Sequence, residues 1–447
     1  MLVSYNGKDK IEAGQGSLER AIVLQPDLGS SAIGNRNPDT MLIETIGLAE
    51  SIGLKVVTSK VVNVKKPHPA TLFGPGNISD FKSQVISNKA SLIIIGAPIT
   101  PVQQRNLEHK WNTKVIDRTG LIIEIFGDRA RTKEGSLQVE LAALTYQRSR
   151  LVRSWTHLER QRGGAGFLGG PGERQLELDR RLIDQRLAKI KKQLSRVSRT
   201  RGLHRSARKR VPYPIVSLVG YTNAGKSTLF NNLTNSKVLA EDMLFATLDP
   251  TMRALSLPSG QNIILSDTVG FIQDLPTHLI AAFRSTLEEV VSSDIVLHVR
   301  DISHDETEQQ QKDVSLILAN LFNDSSLDTD NIPPIIEIFN KTDLLKKERY
   351  DYFQNIASRK ENVIAVSALT GEGCLELLKK ISEHILSEHV VLDIKIPLND
   401  GAMLAWLYQN GDIIERRDGD QHFHISVCLS PTNHIRYINR MSENGKI

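Results

Sequence analysis

Four short runs in the second half of the chain carry residue types and spacings that suit phosphate and purine chemistry. The first is Gly220-Tyr221-Thr222-Asn223-Ala224-Gly225-Lys226-Ser227. Its glycines would let backbone N–H groups close on phosphate oxygens, Lys226 would reach the β- and γ-phosphates, and the Ser227 hydroxyl would ligate Mg²⁺. The second, Asp267-Thr268-Val269-Gly270, offers a carboxylate that can hold the metal, usually through water. Its Gly270 has no side chain to shield its N–H from a γ-phosphate. The third, Asn340-Lys341-Thr342-Asp343, chooses the base. Asp343 can accept from both N1–H and N2–H₂ of guanine, a donor pair that adenine lacks, so adenine would leave the carboxylate unpaired. Lys341 would lay its aliphatic stem along the base. In the fourth, Ser367-Ala368-Leu369, backbone N–H groups could donate to guanine O6. The expected nucleotide is GTP.

Between the first two runs lies Phe245-Ala246-Thr247-Leu248-Asp249-Pro250, a loop that would border the nucleotide. Thr247 and Thr251 compete there for the role of second hydroxyl on Mg²⁺. Phe271 follows Gly270, where many small GTPases carry a glutamine that orients water. An apolar ring cannot do this, so unaided hydrolysis should be slow.

These runs need strands and a helix to aim them. Ile215–Val219 reads as a buried strand, and Ser227-Thr228-Leu229-Phe230 opens a helix whose positive end faces the phosphates. Ile263–Leu265, Ile335–Phe339 and Val363–Val366 read as the strands that deliver the other motifs. Strands alternating with helices make 212–388 a P-loop nucleotide-binding domain, a doubly wound sheet with helices on both faces. Val211-Pro212-Tyr213-Pro214 reads as the hinge into it, and Phe322–Asp330 as a mobile surface loop.

Upstream, strands at Arg20–Leu24, Lys55–Val62, Ser91–Ile95 and Thr113–Asp117 alternate with helical stretches at Thr40–Ser51, Ile78–Asn88 and Pro101–Lys110. Residues 1–126 therefore read as a small α/β domain with a parallel sheet. Phe73-Gly74-Pro75-Gly76-Asn77 contains no lysine and its Pro75 no N–H, so it reads as a turn into the helix at Ile78 and not as a phosphate loop. Residues 389–447 read as a small α+β domain, with strands at Val391–Ile396, Asp412–Arg416 and His422–Leu429 and a helix near Gly401–Gln409. His422 and His424 alternate on a strand expected to be a solvated edge. The whole chain is thus expected to be α/β multidomain.

The chain has a formal net charge of +5, yet between Thr145 and Val211 it carries 19 Lys and Arg against 5 Asp and Glu. Residues 127–211 read as a basic helical hairpin. Its first helix, Leu137–Arg160, has Val139, Leu141, Leu144, Leu151, Trp155 and Leu158 on its apolar side. Its second, Glu173–Ser198, has Leu176, Leu178, Leu182, Leu187, Ile190 and Leu194. The glycine-rich tip, 163–172, would break either helix. Arg148, Arg150, Arg153, Arg160, Arg162, Arg174, Arg180 and Arg181 give the hairpin a one-signed surface suited to a phosphate backbone. Only Cys374 and Cys428 are present, which excludes a disulfide framework and a zinc cluster. The first residues lack a signal-peptide pattern, and no apolar run reaches the ~18 residues that span a bilayer. A cytoplasmic enzyme is expected, and nothing in the pattern demands an obligate oligomer, so a monomer is expected too.

Phe126-Gly127-Asp128-Arg129-Ala130-Arg131-Thr132-Lys133-Glu134-Gly135 with Leu137–Leu141, the run Gly170–Arg181, and Asp267–Ile272 resemble the HflX family of GTPases, over about Leu18 to Ser387. The resemblance implies a GTPase that binds the large ribosomal subunit and separates stalled or stress-damaged ribosomes, with the hairpin reaching towards the peptidyl-transferase region. It favours Thr247 over Thr251 as a metal ligand, so Ser227, Thr247 and Asp267 become the expected Mg²⁺ set. Lys226, Thr247 and Gly270 become the expected catalytic set. Asn223 has two readings, a residue that caps a turn or, by resemblance, the asparagine that holds K⁺ in some GTPases of the wider class, where the ion adds positive charge beside the β–γ bridge. Two other readings are an ATP-driven RNA remodeller with a regulatory G domain, and a GTP-bound adaptor with negligible turnover.

Overall fold

The computed structural model describes residues 19–29, 37–161, 171–208, 213–236, 245, 251–272, 289–324, 332–387, 390–419, 421–429 and 431–443. Side chains of 152–176 and 198–208, and of scattered positions beyond 385, lie outside that description. Three sheets organise these residues.

The first sheet is parallel, in the order β2-β1-β3-β4, from β1 (Arg20–Asp27), β2 (Lys55–Asn63), β3 (Leu92–Ile95) and β4 (Lys114–Asp117). Alternation along β1 sends Ala21 and Val23 to one face and Ile22 and Leu24 to the other. The first face packs on α1 (Pro38–Glu50) and α4 (Arg118–Arg129), through Leu48, Ala49, Leu121 and Ile125. The second packs on α2 (Pro75–Asn88) and α3 (Pro101–Trp111), where Phe73, Phe81 and Trp111 form an aromatic cluster, Phe81 meeting the other two edge to face. Phe73 is therefore core, and Pro75 already starts α2, three residues before the start at Ile78 read from the pattern. Proline suits that first turn because the N–H it lacks would be unpaired there. Helix α4 has no counterpart among the expected elements. Its Leu121, Ile122, Ile123, Ile125 and Phe126 are all buried, so the sequence shows an apolar run instead of a helical stripe.

The hairpin is built from α5 (Lys133–Gln161) and α6 (Pro171–Arg208), both longer than the sequence pattern indicates. Pro171 and Gly172, expected in the tip, form the first turn of α6; 162–170 lie outside the described residues. The apolar seam of α6 also differs in phase. Ile183, Leu187 and Ile190 are buried, whereas Leu178 and Leu182 are more than half exposed. A two-helix hairpin buries only a narrow strip of each helix, and a leucine beside the strip stays wet. The ion pairs Arg148–Asp184 (2.7 Å) and Arg186–Glu140 (2.6 Å) cross between the helices. Arg150 does not join the basic surface. It stacks on Tyr146 and pairs with buried Asp117, the N-cap of α4, which also accepts from Tyr146 Oη and Gly120 N–H. Burial, with the charge of Asp117 beside it, drives the Tyr146 phenol well above its ordinary range. This network fastens α5 to the carboxyl end of β4.

The second sheet has the order β10-β9-β8-β5-β7-β6, from β5 (Ile215–Gly220), β6 (Thr251–Ser256), β7 (Asn262–Asp267), β8 (Ile295–Asp301), β9 (Ile335–Asn340) and β10 (Val363–Ala365). Only the β6–β7 pair is antiparallel. Helices α7 (Lys226–Thr234) and α10 (Cys374–Ser387) pack on one face, and α8 (Thr307–Asp324) and α9 (Lys347–Arg359) on the other. Helix α8 runs through the start of the loop expected at Phe322–Asp330, because Phe322 is buried in the core; 325–330 lie outside the described residues. One apolar cluster is shared between the domains. It joins Val139 and Ala142 of α5 and Phe126 of α4 to Val219, Val269, Phe271, Val314 and Leu318.

The third sheet is antiparallel, β11-β13-β12, from β11 (Val390–Pro397), β12 (Gly411–Asp418) and β13 (His422–Leu429), covered by α11 (Gly401–Asn410) and α12 (Pro431–Glu443). Strand β13 is central and not an edge; His422 and His424 are exposed from its solvent face. Helix α12 was not legible, because the face it turns inward mixes polar Asn433 with Tyr437 and Met441.

Candidate nucleotide site

The four motifs converge at the carboxyl edge of the six-stranded sheet, at the ends of β5, β7 and β9 and just beyond β10. Gly225 turns the chain into α7 with φ +93°, and no side chain caps that helix, so its first N–H groups face an anion site. A Cβ on Gly225 would lie 2.2 Å from Asn340 Nδ2. Asn340 uses that approach to join two motifs: Nδ2 donates to the Ala224 carbonyl (2.7 Å), and Oδ1 accepts from Ala368 N–H (2.9 Å).

Lys226 is buried, and its Nζ donates to the carbonyls of Tyr221 (2.7 Å) and Gly220 (3.2 Å). Burial lowers its pKa to about 8, against the pull of nearby Asp267. Ser227 Oγ donates to Asp267 Oδ2 at 2.7 Å. Two hard oxygen donors thus meet beside the lysine, a set that fits Mg²⁺. That ion binds through one or two such groups plus substrate phosphates and waters, so no larger carboxylate cage is needed. Thr268 Oγ1 is spent on the Leu218 carbonyl (2.6 Å) and so serves the scaffold. Two hydrogen bonds lace the first and second motifs together, Phe271 N–H to Gly220 O (3.0 Å) and Thr222 N–H to Phe271 O (2.7 Å). The approach is tight enough that a Cβ on Gly270 would meet Lys226 Nζ and Thr222 Cα at 3.0 Å.

On the base side, Lys341 takes a left-handed conformation (φ +65°), and its ammonium pairs with Asp301 at 2.8 Å. Asp343 is exposed and its Oδ1 accepts from Ser367 Oγ (2.6 Å), which leaves a carboxylate capacity for further donors. Thr342 is buried beneath it, and Leu369 is exposed at the rim. The Ser367 and Ala368 N–H groups, expected to meet guanine O6, here donate to the Glu372 carbonyl and to Asn340 Oδ1. Asn223 is exposed, with φ +59°. Ala246, Thr247, Leu248 and Asp249 lie outside the described residues. Phe245 is described: it is buried and meets Phe126 of α4 edge to face, 4.7 Å between centroids.

Three positions that touch the motif residues have no place in the sequence reading. Asp301 holds Lys341, and the available signal was a carboxylate at the end of the apolar strand Ile295–Val299. Asn232 of α7 donates to the Ala368 carbonyl (3.2 Å) and had no signal. Glu44 of α1 accepts from Tyr221 Oη, a contact across 177 positions that no local pattern announces.

Known protein families match the chain in four segments. Residues 39–127 match a family described as GTP-binding GTPase N-terminal, and 129–208 one described as GTP-binding GTPase Middle Region. Residues 215–341 match the 50S ribosome-binding GTPase family, and 353–445 the HflX C-terminal domain. The chain is 46% identical over 419 residues to the GTPase HflX of Magnetococcus marinus, covering 92% of this chain and 93% of that one. It is 41% identical over 370 residues to the GTPase HflX of Escherichia coli K12, covering 82% and 84%. Among solved structures, a GTP-binding protein from Sulfolobus solfataricus in complex with GDP is 22% identical, covering 82% of this chain and 98% of that chain, with a TM-score of 0.44. With relatives of this similarity along most of its length, the chain belongs to the HflX family of GTPases.

Proposed function

We propose that this GTPase binds the large ribosomal subunit through the α5–α6 hairpin and that its nucleotide state controls that hairpin, separating stalled ribosomes. The observation that carries this reading is the shared apolar cluster. Phe245 and Phe271, which flank the loops expected to sense the γ-phosphate, pack with Phe126 of α4 and with Val139 and Ala142 of α5, the first helix of the hairpin. A change of loop position at 245 or 271 must repack α4 or α5, because close-packed cores transmit displacement instead of absorbing it.

In this reading Asp343 recognises guanine, Lys341 and Thr342 support it, and Ser367, Ala368 and Leu369 close the base pocket. Gly220 through Ser227 cradle the phosphates, with Lys226 released from its carbonyls to meet them and Gly270 N–H on the γ-phosphate. Ser227, Asp267 and Thr247 would hold Mg²⁺, which supplies charge neutralisation on the β- and γ-phosphates. Asn223 would hold K⁺. Phe271 leaves the attacking water unoriented, so the partner must complete the site. On the hairpin, Arg180 and Arg181 are exposed and Arg148 is half exposed in its pair with Asp184; with Arg153, Arg160, Arg162, Arg174 and the 163–172 tip they would face rRNA phosphates. Among the described residues no helix is long and apolar enough to cross a membrane. In this proposal the protein is a cytoplasmic monomer acting on ribosomes.

The test is GTP turnover by the full chain in potassium and in sodium buffer, with and without purified large ribosomal subunits. Stimulation of at least about tenfold by the subunit is expected, within a ceiling of ~10³–10⁵-fold set by partners that complete GTPase sites. Slow turnover unchanged by the subunit would sink the ribosome reading and leave a GTP-loaded adaptor.

A further inference from the structure

The phosphate loop is held from outside its own domain. Glu44, on α1 of the N-terminal domain, divides its two carboxylate oxygens: Oε2 pairs with Arg118 at 2.7 Å, and Oε1 accepts from Tyr221 Oη at 2.6 Å. The three groups are largely shielded from water, with side-chain exposure of 14% for Glu44 and 3% for Arg118, and with Tyr221 buried. A hydrogen bond to a charged acceptor in such surroundings is strong and directional.

Tyr221 is also the junction of the site. Its carbonyl accepts from Lys226 Nζ, its backbone bridges to Phe271, and the next residue, Thr222, donates to the Phe271 carbonyl. Whatever orients the Tyr221 ring therefore orients the loop carbonyl that holds the phosphate lysine, and the backbone on which Gly270 rests. We propose that Glu44 is a positioning residue for nucleotide binding, lent by the N-terminal domain and acting through the Tyr221 hydroxyl, with Arg118 fixing its carboxylate. Guanine-nucleotide affinity then depends on a contact the G domain cannot make alone. The inference rests on the GTPase assignment and is independent of the ribosome reading.

The alternative for such a contact is interdomain glue. Glue would change unfolding and leave affinity alone, which makes affinity the deciding readout. The experiment uses the full chain and a fluorescent GDP analogue, with Tyr221→Phe, Glu44→Gln and the double variant, alongside Lys226→Ala. Loss of the hydroxyl lets the 221–222 segment relax. Kd for GDP and KM for GTP should rise about three- to tenfold, less than the roughly tenfold or more that loss of a direct charge-assisted hydrogen bond costs, because this one reaches the nucleotide only through the loop. The double variant should match the worse single variant, since the two groups act as one unit. A Tyr221→Phe protein with unchanged Kd and KM would overturn the proposal, whatever its Tm, and so would additive effects in the double variant. Should Glu44→Gln fail to fold because Arg118 loses its counter-charge, Tyr221→Phe decides alone. Failure of the unsubstituted protein to bind guanine nucleotide, or normal binding by Lys226→Ala, would instead condemn the GTPase assignment.

Discussion

Replacing Gly225 by alanine tests whether the phosphate and base halves of the site are one rigid object. The new Cβ would stand 2.2 Å from Asn340 Nδ2, where carbon and nitrogen in contact need about 3.5 Å. The backbone cannot yield easily, because φ is +93° and an L-residue there costs about 1 kcal/mol before any clash. The amide must therefore leave, and with it both hydrogen bonds, to the Ala224 carbonyl and from Ala368 N–H. Each is worth about 1 kcal/mol net, so the expected loss of unfolding free energy is about 3 kcal/mol. Denaturant titration of the full chain reads that term, provided the transition of the G domain is resolved. Guanine-nucleotide affinity should fall by about a hundredfold or more, since the same 3 kcal/mol is lost from an arrangement that nucleotide binding requires. The companion variant Asn340→Ala loses the bonds without the clash. In the double variant the Cβ has room, and only the backbone strain adds to the loss. Stability and affinity of Gly225→Ala within twofold of the unsubstituted protein would refute the geometry, as would strict additivity with Asn340→Ala.

Three further outcomes follow from buried charge. Burial lowers the Lys226 pKa from 10.5 to about 8, so between those values the unfolded chain binds more protons and the nucleotide-free protein should gain stability as pH rises. Phosphates brought to that ammonium restore its charge, and nucleotide binding at pH 8.5 should take up a fraction of a proton; calorimetry in two buffers of different ionisation enthalpy would refute this by showing none. Asp117→Ala removes the acceptor shared by Gly120, Tyr146 and Arg150 and leaves the Arg150 guanidinium largely buried without its counter-charge. A loss of about 3–5 kcal/mol is expected by denaturant unfolding, with the base of the hairpin most affected, and a loss below about 1 kcal/mol would contradict the network.

The nucleotide motifs could be read from sequence because their chemistry is local. A glycine at a tight turn, a lysine one residue later and a carboxylate at a strand end each do their work through backbone geometry that a few neighbouring residues set. Lys226, Ser227 and Asp267 meet as the motif order leads one to expect, and the alternation in β1 to β4 announced a parallel sheet. Packing partners are not local. Nothing in Leu121–Phe126 tells that α4 is covered on almost every side, so the helix went unseen. The phase of α6 depended on which strip α5 touches, and Leu178 and Leu182 lost to Ile183.

The same distinction separates what the sequence by itself determined about function from what tertiary structure decided. The sequence set the expectation of a guanine nucleotide, through the Asp343 carboxylate, and of slow intrinsic chemistry, since Phe271 stands where many small GTPases carry glutamine. Only the tertiary structure decided that Phe271 and Phe245 serve as packing against α4 and α5, that Arg150 belongs to a buried anchor instead of the basic surface, and that Glu44 reaches the phosphate loop. Those roles arise where surfaces far apart in the chain exclude water together, and burial of that kind is a property of the assembled fold.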